Sequence, residues 1–137
     1  MRIRRLVLDV DKAFAQPSLF DIAAAIEKVS GVEGTITSWW NPTEERRDPS
    51  VHWLAVRPDS QRLGLAAALV SECLQRLVWL EGQRDIFLHT QTWSHRAIAI
   101  YLKAGFEFAR QGSFGGYPND YLQAMPVLKT VLPSLVH

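Results

Sequence analysis

A single cysteine, Cys73, is all that 137 residues offer for disulfide chemistry, so no internal disulfide framework holds this chain together. That suits a reducing compartment, and a cytoplasmic location is the expectation. Long apolar runs are missing as well: no window approaches the roughly 18 uninterrupted apolar residues of a membrane span. The N-terminal MRIRRLVLDVDK is basic and then apolar, but Asp9 interrupts it too early for a signal peptide, and it reads as a buried strand. An excess of either charge is lacking too. A formal net charge of +1 gives no pull toward nucleic acid or an anionic membrane. Repeats, low-complexity tracts and linkers are absent. With 47% hydrophobic and 21% charged residues, the composition is that of one soluble globular domain spanning 1–137, with enough chain to bury a core.

What is present is an alternation of strand and helix signals. IRRLVLDV (3–10) is rich in branched apolar side chains and reads as a strand. SLFDIAAAIEKV (18–29) has helical spacing, with Ser18 as N-cap and Gly31 just past its end. GTITSWW, from Gly34, and VHWLAV (51–56) read as strands, separated by NPTEERRDPS as a polar loop. After Gly64 comes the clearest helix: Ala66, Leu69, Val70, Cys73, Leu74 and Leu77 share one face, and Gly82 closes it. IFLHT (86–90) is a strand and SHRAIAIYLKAG (94–105) a helix ending in Lys103 and Gly105. FEFAR and a segment around YLQAMPVL read as further strands, joined by the glycine-rich loop QGSFGGYPND. The fold class expected is α/β, a mixed central sheet flanked by helices.

The stretch VRPDSQRLGLAAALV (56–70) carries the first chemical signal. A helix that starts at the end of a strand exposes backbone N–H groups without intrahelical partners, and with the helix dipole these suit phosphate oxygens. Gly64 permits close approach or an unusual backbone angle, Ala66 keeps the first turn accessible, and Arg62 adds a charge. The lysine and hydroxyl of a nucleoside triphosphate loop are absent, as are the extra glycines of a dinucleotide fingerprint. Alone, one glycine before a helix reads equally well as an ordinary turn.

One helix and one strand later the chain reads HTQTWSHRAIAIYLKAGF. Together the two segments resemble the GNAT superfamily of N-acetyltransferases. Its acyl-CoA loop, Q/R-x-x-G-x-G/A, is matched by Gln61, Gly64 and Ala66 after the turn Val56–Arg57–Pro58. Its later helix and turn are matched by Ala97, Ile98, Ile100, Tyr101, Lys103, Gly105 and Phe106. The resemblance covers about residues 34 to 128, with 51–128 as the acetyl-CoA-binding core and 1–50 as a shortened or divergent N-terminal arm.

The resemblance implies a GNAT-like acyl-CoA N-acyltransferase fold, acetyl-CoA as acyl donor and a primary amine as acceptor, joined by direct attack in a ternary complex. Pantetheine would lie along Leu54, Ala55 and Val56, and the amides of Arg62, Leu63, Gly64, Leu65 and Ala66 would hold the pyrophosphate, with Gln61, Ser94 and Ala97 nearby. Where relatives often carry an asparagine before the second helix, this chain has Ser94 and His95. Tyr101 matches the tyrosine that protonates the departing thiolate. The Val56 N–H would polarise the thioester carbonyl. His89 and His52 are rival general bases, with water as a third option, and His52 is expected on the face of Leu54 and Val56. Trp39, Trp40, Trp53 and Trp93 read mainly as core packing, or else as an aromatic wall for an apolar or cationic substrate. Asp120 and Tyr121 are possible contacts for the amine. A shortened arm would leave a sheet edge for a second subunit, so a homodimer is an expectation. A non-catalytic acyl-CoA-binding or regulatory domain is the alternative function.

Overall fold

The computed structural model describes residues 4–9, 33–43, 46–82 and 84–136. Alternation of side chains across each strand sets its architecture. In β1 (Arg4–Asp9), Leu6 and Val7 point to opposite faces and both are fully buried, as a central strand requires. β2 (Gly34–Thr43) and β3 (Arg46–Val56) form a long antiparallel hairpin. The 17-residue α1 (Leu65–Glu81) follows, then β4 (Ile86–Gln91) and α2 (His95–Lys103). The short β5 (Glu107–Phe108) and α3 (Tyr121–Val131) complete the described elements. The five strands run in the order β2-β3-β4-β1-β5, so the first strand of the chain lies near the middle of the sheet. β1 is parallel to both β4 and β5.

The core lies mainly between one face of the sheet and the helices. Val70, Cys73, Leu74 and Leu77 of α1 pack there with Leu6, Val51, Leu88, Ile98, Phe106 and Leu128. The helical face expected for α1 is the buried one, and Gly82 ends the helix by donating its N–H to the Val78 carbonyl at 2.8 Å. The opposite face carries a smaller cluster of Val7, Phe87, Ala109 and Phe114, with Tyr117 against it.

Two local expectations are corrected. YLQAMPVL is a helix, α3, because Tyr121, Ala124, Met125 and Leu128 repeat at helical spacing against the core. Asn119 starts it, its Oδ1 accepting the Tyr121 N–H at 3.1 Å. Pro126 is exposed, on a turn where the carbonyl it leaves unpaired can meet water. NPTEERRDPS is not a loop throughout, since the hairpin ladder continues through Trp40↔Pro49, Asn41↔Asp48 and Pro42↔Arg47. Its prolines are tolerated because β2 is an edge strand among the described residues and the β3 pairing with β4 is at Ser50, beyond Pro49. The helix expected over 18–29 lies outside the described residues.

Candidate active site

The gap that organises the site comes from strand pairing that stops. β3 and β4 are parallel neighbours paired at Ser50↔Phe87, yet β3 runs on to Val56 and β4 to Gln91. A bulge adds to the divergence: Thr37 faces His52 and Thr35 faces Ala55, so β3 spends one residue more than β2 over this stretch. Such a residue has no ladder partner, and its backbone groups are available to something other than β2. The oxyanion donor expected at Val56 is therefore joined by candidates within the bulge.

On the helix side the gap opens into a cavity of about 830 Å³. Leu54, Ala55 and Val56 form one wall, Gln61, Arg62, Gly64, Leu65 and Ala66 a second, and Trp93, Ser94, Ala97 and Ile100 a third. Of the cofactor residues expected from sequence, only Leu63 is not on this lining; it is 79% exposed. Local backbone geometry explains the loop. Gly64 has φ 80° and Arg62 has φ 66°, both in the left-handed region that costs about 1–2 kcal/mol for a residue with a Cβ. A Cβ on Gly64 would meet nothing within 4 Å. Glycine is needed there for its backbone angle, and the space beside it is open. The Gln61 amide steadies the turn by donating to the Val56 carbonyl at 3.1 Å.

This loop delivers the N-terminus of α1 to the cavity. The first helical bond runs from the Ala68 N–H to the Gly64 carbonyl at 3.1 Å, so the N–H groups before it have no intrahelical acceptor. No acidic residue occupies the first turn. Unpaired donors, the positive end of the dipole and the Arg62 guanidinium together make a place for an anion.

The other side of the gap is built from side chains. His89 follows Phe87 on the face away from the helices, and its ring stacks on Tyr117 with centroids 4.0 Å apart and planes at 7°. His52 shares that face. Its Nε2 lies 2.9 Å from both Asn41 Oδ1 and Ser50 Oγ. Burial, and then the nearby His89, lower the His52 pKa from the ordinary histidine value. The two rival histidines are thus brought together. Leu54, in contrast, packs against the helix-side core; the bulge reverses the alternation that put it with His52.

Tyr101 is placed differently. It is 6% exposed, packs edge-on against Phe106 at 5.9 Å, and belongs to the core behind Ala97 and Ile100. Burial, reinforced by the neighbouring Cys73, pushes its phenol far above the usual range. Cys73 is a core residue, 3.1 Å from Ser38 Oγ, and burial raises its thiol pKa. The tryptophans divide. Trp39 is 54% exposed and Trp93, at 39%, lines the cavity, so neither is core. Trp40 packs on the core and donates its indole N–H to Glu81. The side chain of Trp53 lies outside the described residues. The Asp120 carbonyl accepts the Ala124 N–H at the start of α3, and the Tyr121 ring packs beside Phe108.

Sequence reasoning missed Asn41, Ser50 and Tyr117. The glycine-rich loop was the available signal: Phe114 is fully buried on the second face and delivers Tyr117 to His89.

Among the described residues, no helix is long and apolar enough to cross a membrane. Residues 5–106 match the family model described as Acetyltransferase (GNAT) family. No curated protein matches the chain.

Proposed function

The chain belongs to the GNAT acetyltransferase family, and on that premise we propose that it transfers an acetyl group from acetyl-CoA to a primary amine by direct attack. One observation carries this reading: a cavity walled by the end of β3 lies at the α1 N-terminus, and the opposite face of β3 and β4 bears two histidines. Acetyl-CoA fits the first side. Its pyrophosphate belongs on the amides of residues 62–66, its pantetheine along Leu54–Val56, and its thioester at the β3 bulge.

The chemistry needs a neutral amine, a donor for the carbonyl oxygen and a fate for the departing thiolate. His52, kept neutral by its lowered pKa, takes the amine proton; His89 is the second candidate, its ring held by Tyr117. Backbone N–H groups of the bulge face the developing oxyanion. Tyr101 keeps its proton throughout the physiological range, so it donates a hydrogen bond to sulfur more readily than it surrenders a proton. Transfer from so weak an acid to a thiolate of ordinary acidity, near about 8.5, runs uphill.

A cytoplasmic location and a homodimer belong to the same reading. Among the described residues β2, of 10 residues, is an edge strand, the place where a second copy would pair. The test is calorimetric titration with acetyl-CoA, followed by free-thiol release in the presence of a panel of primary amines. Saturable binding and amine-dependent thiol release support the reading. Wild-type protein that binds no acetyl-CoA overturns it.

A further inference from the structure

An arginine without a partner is the exception in this chain. Arg5, Arg46, Arg47, Arg57, Arg76 and Arg84 each pair with an aspartate or a glutamate. The Arg110 guanidinium lies over the Tyr121 ring. Of the arginines whose side chains are described, Arg62 and Arg96 alone have neither kind of partner among the described residues. Both line the cavity at the α1 N-terminus. A guanidinium keeps its charge at any physiological pH, so this cavity holds two permanent positive charges that the surrounding side chains leave unneutralised. The lining has no acidic residue, and its one other ionisable side chain is His95. In a chain whose formal net charge is only +1, that is a local asymmetry, and it fits a ligand with more than one anionic group.

The two guanidiniums belong to different walls. Arg62 sits in the left-handed turn ahead of α1, and Arg96 in the first turn of α2, on the wall of Trp93, Ser94 and Ala97. A pyrophosphate on the amides of residues 62–66 accounts for Arg62 and leaves Arg96 without a role. CoA carries one phosphate more, the monoester on its ribose, which holds close to two negative charges at neutral pH. Such a group presents several oxygens to the planar fork of a guanidinium, which can meet two of them at once. We propose that Arg96 is a donor-specificity residue: its guanidinium takes the ribose 3′-phosphate, so that the protein selects CoA over the 3′-dephospho form. The assignment rests on the acetyltransferase reading. Lys103 is the rival cation. It lies seven residues farther along α2, about 10 Å, and lines the adjoining cavity of about 690 Å³, which shares Ala67 and Ile100 with the first.

Calorimetric titration of the intact chain with CoA and with 3′-dephospho-CoA reads the contact directly. The wild type is expected to bind CoA about tenfold more tightly, the scale of one charge-assisted hydrogen bond. Arg96→Gln should bring that ratio close to one by weakening CoA alone. Arg62→Gln should weaken both ligands by the same factor and keep the ratio, because both carry the pyrophosphate. Lys103→Gln removes a charge from the same helix and should keep the ratio as well. The preference should also shrink as salt is raised in the wild type, and stay flat in Arg96→Gln. A wild type that binds both forms alike overturns the proposal and leaves the acetyltransferase reading standing. So does an Arg96→Gln variant that keeps the preference, or a preference lost in Lys103→Gln instead. A wild type that binds neither form removes the proposal and that reading together.

Discussion

The two sides of the gap between β3 and β4 are made of different material. The helix side is mostly backbone: two left-handed residues, a helix N-terminus and a strand edge, all from the continuous stretch 54–66. The far side is side chains: Asn41, Ser50, His52, His89 and Tyr117, brought from β2, β3, β4 and the loop after β5. Backbone donors are the same whatever residue carries them, and only the turn that aims them must be preserved. Side-chain groups can be exchanged singly. On the proposed reading, a site divided this way would hold one donor by a fixed device and meet its acceptor with a surface that substitution can retune.

The largest effect should come from breaking the backbone side. Gly64→Glu forces a Cβ into a left-handed position and adds a negative charge where phosphate belongs. Affinity for acetyl-CoA is expected to fall at least about 100-fold, near 2.7 kcal/mol, by calorimetry on protein whose unfolding midpoint shows it folded. An unchanged affinity would remove the cavity as the donor site. Next comes the side-chain side. His52→Gln should lower kcat about 100-fold, the scale of a lost general base, while acetyl-CoA affinity stays as in the wild type. If His89→Gln gives that loss and His52→Gln does not, the two histidines exchange roles.

The same division explains what could be read from the sequence. Gln61, Gly64 and Ala66 announce the donor side because one short stretch must satisfy one backbone path. The helical face of α1 was equally legible, since its spacing repeats over several turns. The far side was not. His52 and His89 could be named singly, but Asn41 reaches His52 only through hairpin pairing in a segment whose prolines and charges read as a loop. The bulge between His52 and Ala55 cannot be seen in VHWLAV, and it changes which residues share a face. α3 was misread because a short apolar run with a proline fits either period.

Tyr101 sharpens the comparison, since it sits on the helix side yet was expected to act by its side chain. On the proposed reading Tyr101→Phe would remove a hydrogen bond to sulfur, and it is expected to lower kcat about tenfold, near 1.4 kcal/mol, with acetyl-CoA affinity unchanged. A loss approaching 10⁴-fold, the upper range of acid–base catalysis, would make it a proton donor despite its burial.

The smallest effect concerns stability and separates the two faces without substrate. The folded pKa of His52 lies below its unfolded value of about 6.5, so between those two values the unfolded chain binds more protons. Stability should therefore rise with pH through that window and level off above about 6.5, with a slope from this one group of at most about 1.4 kcal/mol per pH unit. Urea midpoints taken across the window should show this rise in the wild type and a flatter profile in His52→Gln. Asn41→Asp should also flatten it, because a carboxylate facing the His52 ring at Nε2 draws the folded pKa back toward the unfolded one. Tyr101→Phe should leave the profile's slope alone, since that phenol holds its proton in both states across this range. Parallel profiles for the wild type and His52→Gln would mean that His52 titrates alike in the folded and unfolded chain. The far face would then lack the buried, neutral imidazole on which its chemistry depends.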